Sequence, residues 1–332
     1  MAVEAVTFEM VRQARERIAS HIHRTPLVRS STLSEVFRTN VYLKLELFQR
    51  TGAFKVRGAL NRILALTEKP KGVVTVSAGN HGQAVAYAAL RTGTPAIIML
   101  PQGTPQNYVD ATRAYGAEVR FVANLREGFS AAAAYQSSGF TFVHPYGDPL
   151  VVAGQGTLAL EICDQLPELT DVFVSIGGGG LAAGTAVAVK GLNPSIRVWG
   201  VETKGADCMS QALRAGSIVS MREITSRART LGAPSAAPLT FEIVRELVEE
   251  VVVVDDEEAE RDSLFLLERA KVLTELAASC TLSALRSRAG RFMQDDHVAL
   301  VLCGGNADLA QMFVPPAVAG QAAFAQRSAQ RI

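Results

Sequence analysis

Four consecutive glycines, Gly177, Gly178, Gly179 and Gly180, follow the apolar run Val172–Ile176 and precede the helix-compatible stretch Leu181–Gly191. Consecutive glycines let backbone N–H groups converge on an anion where a helix begins, because the first amides are unpaired and the helix dipole favours negative charge there. A tight turn needs fewer glycines than this, so the loop reads as a phosphate cradle. The same residues fit a second pattern, G-x-G-x-x-A through Gly177, Gly179 and Ala182, with Glu202 ending a later strand where an acid could hold a ribose. That second pattern belongs to a nicotinamide-dependent oxidoreductase, and the glycines alone leave both readings open.

Lys55 taken by itself reads as a solvated lysine, and Ser77 and Asn80 as ordinary helix caps. Their surroundings say more. The run Gln49-Arg50-Thr51-Gly52-Ala53-Phe54-Lys55-Val56-Arg57-Gly58-Ala59 closely resembles the cofactor-lysine motif of the serine/threonine dehydratase family, fold type II enzymes that use pyridoxal phosphate (PLP). Further blocks agree in order: Ser77-Ala78-Gly79-Asn80-His81-Gly82-Gln83, Ala153-Gly154-Gln155-Gly156-Thr157, the tetraglycine, and Cys303-Gly304-Gly305-Asn306. The resemblance spans about residues 20 to 312 and decides against nicotinamide.

The resemblance implies roles. Lys55 holds PLP as a Schiff base and then takes the Cα proton, which requires an amine of depressed pKa. Phe54 packs on the cofactor, Asn80 donates to its 3′ oxygen, and the glycine loop with Leu181 receives its phosphate. Ser77, Ala78, Gly79, Asn80 and His81 clamp the substrate carboxylate, Ser77 through its hydroxyl and His81 as a structural member rather than a base. Cys303 faces the ring nitrogen, where many relatives carry serine; a neutral thiol there makes the cofactor a poorer electron sink and favours loss of the β-substituent. Glu275 resembles the acid of a later motif whose usual proline is here Leu276, and it is expected at the cofactor site.

Departures refine the expectation. Related serine racemases carry a second hydroxyl where this chain has Ala78, so dehydration is expected over racemisation, with a serine racemase of the same fold as the alternative. Glu202 and Ala206 match two of three cation ligands of some relatives, but Cys208 stands where the second acid belongs. A hard divalent ion prefers oxygen, which leaves a weak or monovalent cation site. The resemblance thus implies an ammonia-lyase that converts a β-hydroxy amino acid such as L-threonine or L-serine to the 2-oxo acid and ammonium. The segment Leu231–Thr240, expected to shape the side-chain pocket, departs from common dehydratase patterns and keeps an aryl-serine or a 3-hydroxyaspartate in range. The chain stops soon after Asn306, so no effector-binding domain and a catabolic role are expected.

These residues need a scaffold. Phe8, Val11, Ile18 and Ile22 recur at near-helical spacing up to Thr25-Pro26, and Val41–Glu46 alternates as a strand. Strand and helix then alternate: Val73–Val76, Asn80–Arg91, Ala96–Leu100, Pro105–Tyr115 opened by Thr104-Pro105, Glu118–Val122, and Glu127–Gln136. A second series runs through a helix at Leu150–Leu166, strands at Val172–Ile176 and Arg197–Val201, and later strands at Val251–Val254 and Val298–Leu302. The expected architecture is α/β, a two-lobed fold type II PLP enzyme like the tryptophan synthase β chain, each lobe a mainly parallel sheet flanked by helices. Residues 1–48 and 147–325 form the expected large PLP-binding domain and 49–146 the small domain with the carboxylate loop; 326–332 form a tail within the Ala- and Gln-rich stretch after Pro315.

Bulk properties exclude other classes. The chain has 332 residues, 48% hydrophobic and 20% charged, with a net charge of +1, so it has the composition of a globular protein and no surplus of positive charge for nucleic acid or anionic membrane. Cys163, Cys208, Cys280 and Cys303 form no C-x-x-C pair and suit a reducing cytoplasm. Met1–His23 is too charged for a signal peptide or anchor. The expected partners are a small amino-acid substrate and a second copy of the chain in a homodimer or other homo-oligomer.

Overall fold

The computed structural model describes residues 5–68, 70–77 and 79–307. Helix α1 (Phe8–Ile18) buries Val11, Ala14 and Ile18 on one face and starts at Thr7, whose hydroxyl accepts from the Met10 amide at 3.2 Å. Then come β1 (Leu27–Arg29), α2 (Ser31–Phe37), β2 (Asn40–Leu45) and α3 (Lys55–Leu64). An alternating series follows: β3 (Gly72–Val76), α4 (Asn80–Thr92), β4 (Ala96–Pro101), α5 (Gln106–Ala114), β5 (Glu118–Val122), α6 (Leu125–Ser137) and β6 (Phe140–Phe142). The rest comprises α7 (Pro149–Gln165), β7 (Asp171–Ser175), α8 (Gly180–Leu192), β8 (Arg197–Thr203), α9 (Cys208–Ala215), α10 (Pro238–Leu247), β9 (Glu250–Val254), α11 (Asp256–Phe265), α12 (Leu276–Ser287) and β10 (His297–Leu302).

The strands form two sheets. One has six strands in the order β1-β2-β10-β7-β8-β9, antiparallel at β1–β2 and parallel at every other pairing. The other has four parallel strands in the order β5-β4-β3-β6. Its central strand β3 is buried along its whole length, as are β7 and most of β10, which is why these segments read as continuous apolar runs. The smaller sheet lies within residues 72–142, and the larger takes strands from both sides of that stretch. The two-lobed α/β architecture is therefore as expected.

Glycines bring three helices together. A Cβ on Gly154 of α7 would lie 2.6 Å from the Gly58 Cα of α3, and one on Gly184 of α8 would lie 2.7 Å from the Gly156 nitrogen of α7. The block Ala153–Thr157 is thus a packing surface on which α3 and α8 rest. Beneath α3 lies a buried ion cluster: Arg57 is held by Glu46 at 2.7 and 2.8 Å and by Glu161 at 2.7 and 3.0 Å. Lys44 donates to Glu161 at 2.7 Å, to the Thr25 carbonyl at 2.8 Å and to Gln165 at 3.1 Å. Two cations and two carboxylates balance there, each with hydrogen bonds on nearly every lone pair and proton.

One boundary shifts. Pro105 has ψ 141°, outside the helix, so α5 begins at Gln106, and Thr104 closes the preceding turn by donating to the Pro101 carbonyl at 2.7 Å. Ala78, the stretch Pro315–Ile332 with its 326–332 tail, and the last part of the expected large domain lie outside the described residues.

Candidate active site

Lys55 is the first residue of α3, and a locked turn aims it. Thr51 and Gly52 both have left-handed backbones, φ 64° and 68°, a costly conformation for a β-branched residue. The turn is held by Asn306, whose side-chain amide donates to the Thr51 carbonyl at 2.7 Å, and by the Gly305 amide, which donates to Gly52 at 2.9 Å. A Cβ on Gly52 would lie 2.4 Å from the Asn306 oxygen, so glycine is required. The Phe54 amide then donates to the Cys303 carbonyl at 3.0 Å. From this base the Lys55 ammonium donates to the Pro145 carbonyl at 2.8 Å. Burial pulls its pKa down to about 8.

The second wall is the junction of β3 and α4. The Ser77 hydroxyl accepts from the Gly79 amide at 3.1 Å, shaping a turn at a helix start, where unpaired amides suit a carboxylate. Asn80 is buried; its nitrogen donates to both Glu275 oxygens at 2.9 and 3.1 Å, and its oxygen accepts from Asn306 at 2.8 Å. His81 lies within hydrogen-bond distance of the Val143 carbonyl, 3.0 Å from Nε2, and burial with the nearby Lys55 charge lowers its pKa to about 3. A neutral histidine tied to backbone holds the loop and offers no base.

The third wall is the tetraglycine. Gly179 caps α8 with φ 95°, where a side chain would be strained. A Cβ on Gly178 would stand 2.3 Å from the Tyr146 ring, and one on Gly179 would stand 2.8 Å from Thr240. The Thr240 hydroxyl donates to the Gly178 carbonyl at 2.7 Å, which fixes the loop from behind. Across from it Cys303 directs its thiol to the Ala277 carbonyl at 3.4 Å, and burial raises its pKa well above the ordinary range, so it stays neutral.

These walls enclose one cavity, with about 120 Å³ of free space, lined by Phe54, Lys55, Ser77, Gly79, Asn80, His81, Gly177, Gly178, Gly179, Gly180, Leu181 and Cys303. Glu275 is not a lining residue. It stands behind the wall and joins three segments, accepting from Asn80, from Thr230 at 2.7 Å and from the Asn306 amide at 2.9 Å. Glu202 and Ala206, the residues expected to hold a weak cation, are both buried. Glu202 is fully buried and accepts from the Met209 and Ser210 amides at 2.9 and 2.8 Å, and among the described residues no cluster of three or more metal-binding side chains forms. Glu202 does not line the cavity, so it offers no acid there to a ribose. Sequence reasoning missed Arg229 and Thr230, which line the cavity together with Leu231 to Pro234; the expected pocket segment began two residues too late. It also missed the apolar wall made by Leu125, Phe129 and Tyr146, whose positions carry no local signal.

The arrangement fits a phosphorylated aldehyde: an amine drawn toward neutrality, a glycine cradle at a helix start for the phosphate, an aromatic ring, and no acid among the described lining residues. Fold and site together define a PLP enzyme of the α/β type. The sequence profile described as pyridoxal-phosphate dependent enzyme matches residues 18–304. An L-threonine ammonia-lyase of Thermotoga maritima is 41% identical over 308 residues, covering 92% of this chain and 76% of that protein. The catabolic L-threonine dehydratase of Escherichia coli is 38% identical over 312 residues, covering 92% and 95%. Maize serine racemase superposes with a TM-score of 0.89 at 35% identity, covering 93% of this chain and 96% of that one. The chain belongs to the pyridoxal-phosphate dependent enzyme family, and it is a lyase that uses PLP. Among the described residues no helix is long and apolar enough to cross a membrane.

Proposed function

We propose that this chain dehydrates a β-hydroxy amino acid of the serine and threonine class, releasing the 2-oxo acid and ammonium. The observation that carries the reading is Lys55: a lysine with a lowered pKa, lining one cavity with the turn at Ser77 and the tetraglycine loop. PLP, when bound, supplies the electron sink that makes the Cα–H bond acidic. Gly177 to Gly180 hold its phosphate through backbone amides, and Asn80, fixed by Glu275 and Asn306, meets its polar edge. Ser77 and the amides of residues 79–81 orient the substrate carboxylate, so that the Cα hydrogen faces Lys55. Lys55 removes that proton; the β-hydroxyl leaves with a proton as water; a second water then releases ammonium from the enamine. Cys303, kept neutral by burial, lends no charge to a ring nitrogen, which favours prompt β-elimination over a long-lived carbanion.

The L-threonine ammonia-lyases among its relatives support this reading, and the maize serine racemase supports inversion at Cα as a second one. An oxo-acid release assay separates them. The expected result is 2-oxobutanoate from L-threonine or pyruvate from L-serine; D-serine appearing from L-serine faster than pyruvate overturns the proposal. We further place the division between the lobes near residues 49 and 146, where the chain passes from the larger sheet to the smaller and back.

A further inference from the structure

The cavity holds one charge that the proposed chemistry leaves unused. Arg229 and Lys55 are its cationic lining residues, and among the described residues no carboxylate lines it. The cofactor phosphate and the substrate α-carboxylate are both served by backbone amides at helix starts, which leaves the guanidinium without an assigned partner. Arg229 is exposed, and among the described residues no side-chain hydrogen bond or ion pair engages it. Arg227, two residues earlier, behaves in the opposite way and spends its guanidinium on Asp256, Glu257 and Glu260 at 3.7, 2.8 and 2.9 Å.

The backbone under Arg229 is nonetheless fixed. Arg229–Leu231 forms a single helical turn, with the Leu231 amide donating to the Ala228 carbonyl at 2.8 Å. Thr230 bonds to Glu275, and its methyl carbon would lie 3.2 Å from a Cβ on Gly79 in the carboxylate turn. The Leu231 carbonyl covers Gly177, 3.1 Å from where a Cβ would stand. The turn therefore spans the carboxylate loop and the phosphate loop, and it presents Arg229 at the edge of the cavity between them. A guanidinium held there offers a planar fork suited to a carboxylate.

We infer that Arg229 receives a second carboxylate, carried on the substrate's side chain, and that the preferred substrate is an acidic β-hydroxy amino acid of the 3-hydroxyaspartate type. This rests on the dehydratase reading and narrows it. The balance is unchanged: Lys55 takes the Cα proton, the β-hydroxyl leaves as water, one water enters, and ammonium departs, giving a four-carbon 2-oxo diacid. A methyl-bearing substrate such as threonine leaves the guanidinium unpaired, whereas a dicarboxylate pairs it, and sites built for a polar group discriminate strongly by that difference.

The test compares the holoenzyme with Arg229→Gln and Arg229→Lys. Oxo-acid release is measured with L-serine, L-threonine and the 3-hydroxyaspartate isomers, and calorimetry measures binding of succinate, a dicarboxylate that cannot react. For a 3-hydroxyaspartate, kcat/KM should exceed that for L-threonine by about ten- to a hundredfold, the range of a charge-assisted pair. Arg229→Gln should lose this advantage chiefly in KM and weaken succinate about tenfold, leave serine within about threefold, and be partly rescued in Arg229→Lys. Equal losses on every substrate, with weaker cofactor binding, would mean that Arg229 serves the phosphate and would overturn the inference. Oxo acid from serine or threonine, with succinate and hydroxyaspartate indifferent to position 229, sinks the inference alone. Absence of oxo acid from every β-hydroxy amino acid sinks the dehydratase reading instead, while succinate binding still reports on Arg229.

Discussion

Lys44 and Lys55 are two lysines withdrawn from water in neighbouring parts of the fold, and burial lowers the pKa of both. Their company differs. Lys44 sits against Glu161 within a cluster of matched charges, and the attraction of Glu161 and Glu46 opposes the burial cost. Lys55 has one carbonyl oxygen and a neutral thiol near it, and its pKa falls to about 8. One site surrounds its charge with opposite charges and uses the cluster to clamp β2, α3 and α7; the other leaves its amine without an ionic partner. The contrast teaches that reactivity here comes from withholding partners from a buried group, and stability from supplying them.

Exchanging the roles of the two lysines is the strongest test. Lys55→Ala should reduce turnover by more than about 10³-fold, the contribution of a positioned base and covalent anchor, while the unfolding midpoint of the apoprotein stays within about 2 °C. Borohydride reduction followed by peptide mapping should find the cofactor fixed to Lys55 in the native enzyme and nowhere in the variant. Lys44→Met should do the reverse. It leaves a buried carboxylate uncompensated, at a cost of about 3–5 kcal/mol, so thermal unfolding should occur about 4–7 °C lower while kcat per folded molecule stays within about threefold. If Lys44→Met abolished catalysis with no loss of stability, the division between clamp and reagent would be wrong.

A titration sharpens the same contrast. A lysine depressed to about 8 is largely protonated at pH 6 and largely free above pH 9. The rate of PLP capture by the apoenzyme should therefore rise about tenfold per unit below pH 8 and level off above it. An ordinary lysine would keep rising toward pH 10. Stopped-flow absorbance of the bound cofactor distinguishes the two curves, and a plateau near 10 would remove the unusual environment claimed for Lys55.

How much of this was written in the sequence depends on how locally each feature is encoded. That the glycine loop and Lys55 would meet at one cavity was legible because each is marked by a few consecutive residues. The strands β3, β4, β7 and β10 were legible because burial on both faces leaves an apolar run. By contrast, β1 and β6 have three residues each, too few to display a period. Helix α3 was hidden because it is buried on several sides, including its Arg57 and Asn61, so its polar residues do not mark a wet face. The ion cluster was invisible because Arg57 and Glu161 are 104 positions apart, and nothing local says that one will neutralise the other. Arg229 was missed for a related reason: an exposed arginine in a polar loop is ordinary until the fold brings that loop across the cofactor cradle.

The smallest predicted effect extends the comparison from lysines to acids. Glu161 is buried among cations, whereas Glu275 is buried among neutral donors, the amide of Asn80, the hydroxyl of Thr230 and the backbone of Asn306. Burial raises the Glu275 pKa, against the pull of those hydrogen bonds. Glu275→Gln replaces one acceptor by an N–H₂ that must face existing donors, so at least one buried bond is lost at about 1–3 kcal/mol. Because Asn80 hangs from this acid, the loss should appear as PLP affinity about tenfold weaker in an absorbance titration, with kcat at saturating cofactor within about fivefold. Glu161→Gln, in the charged cluster, should lower the unfolding midpoint and leave cofactor affinity unchanged. If both substitutions weakened PLP equally, Glu275 would be one more structural clamp, and the border between the two regions would have to be drawn closer to Lys55.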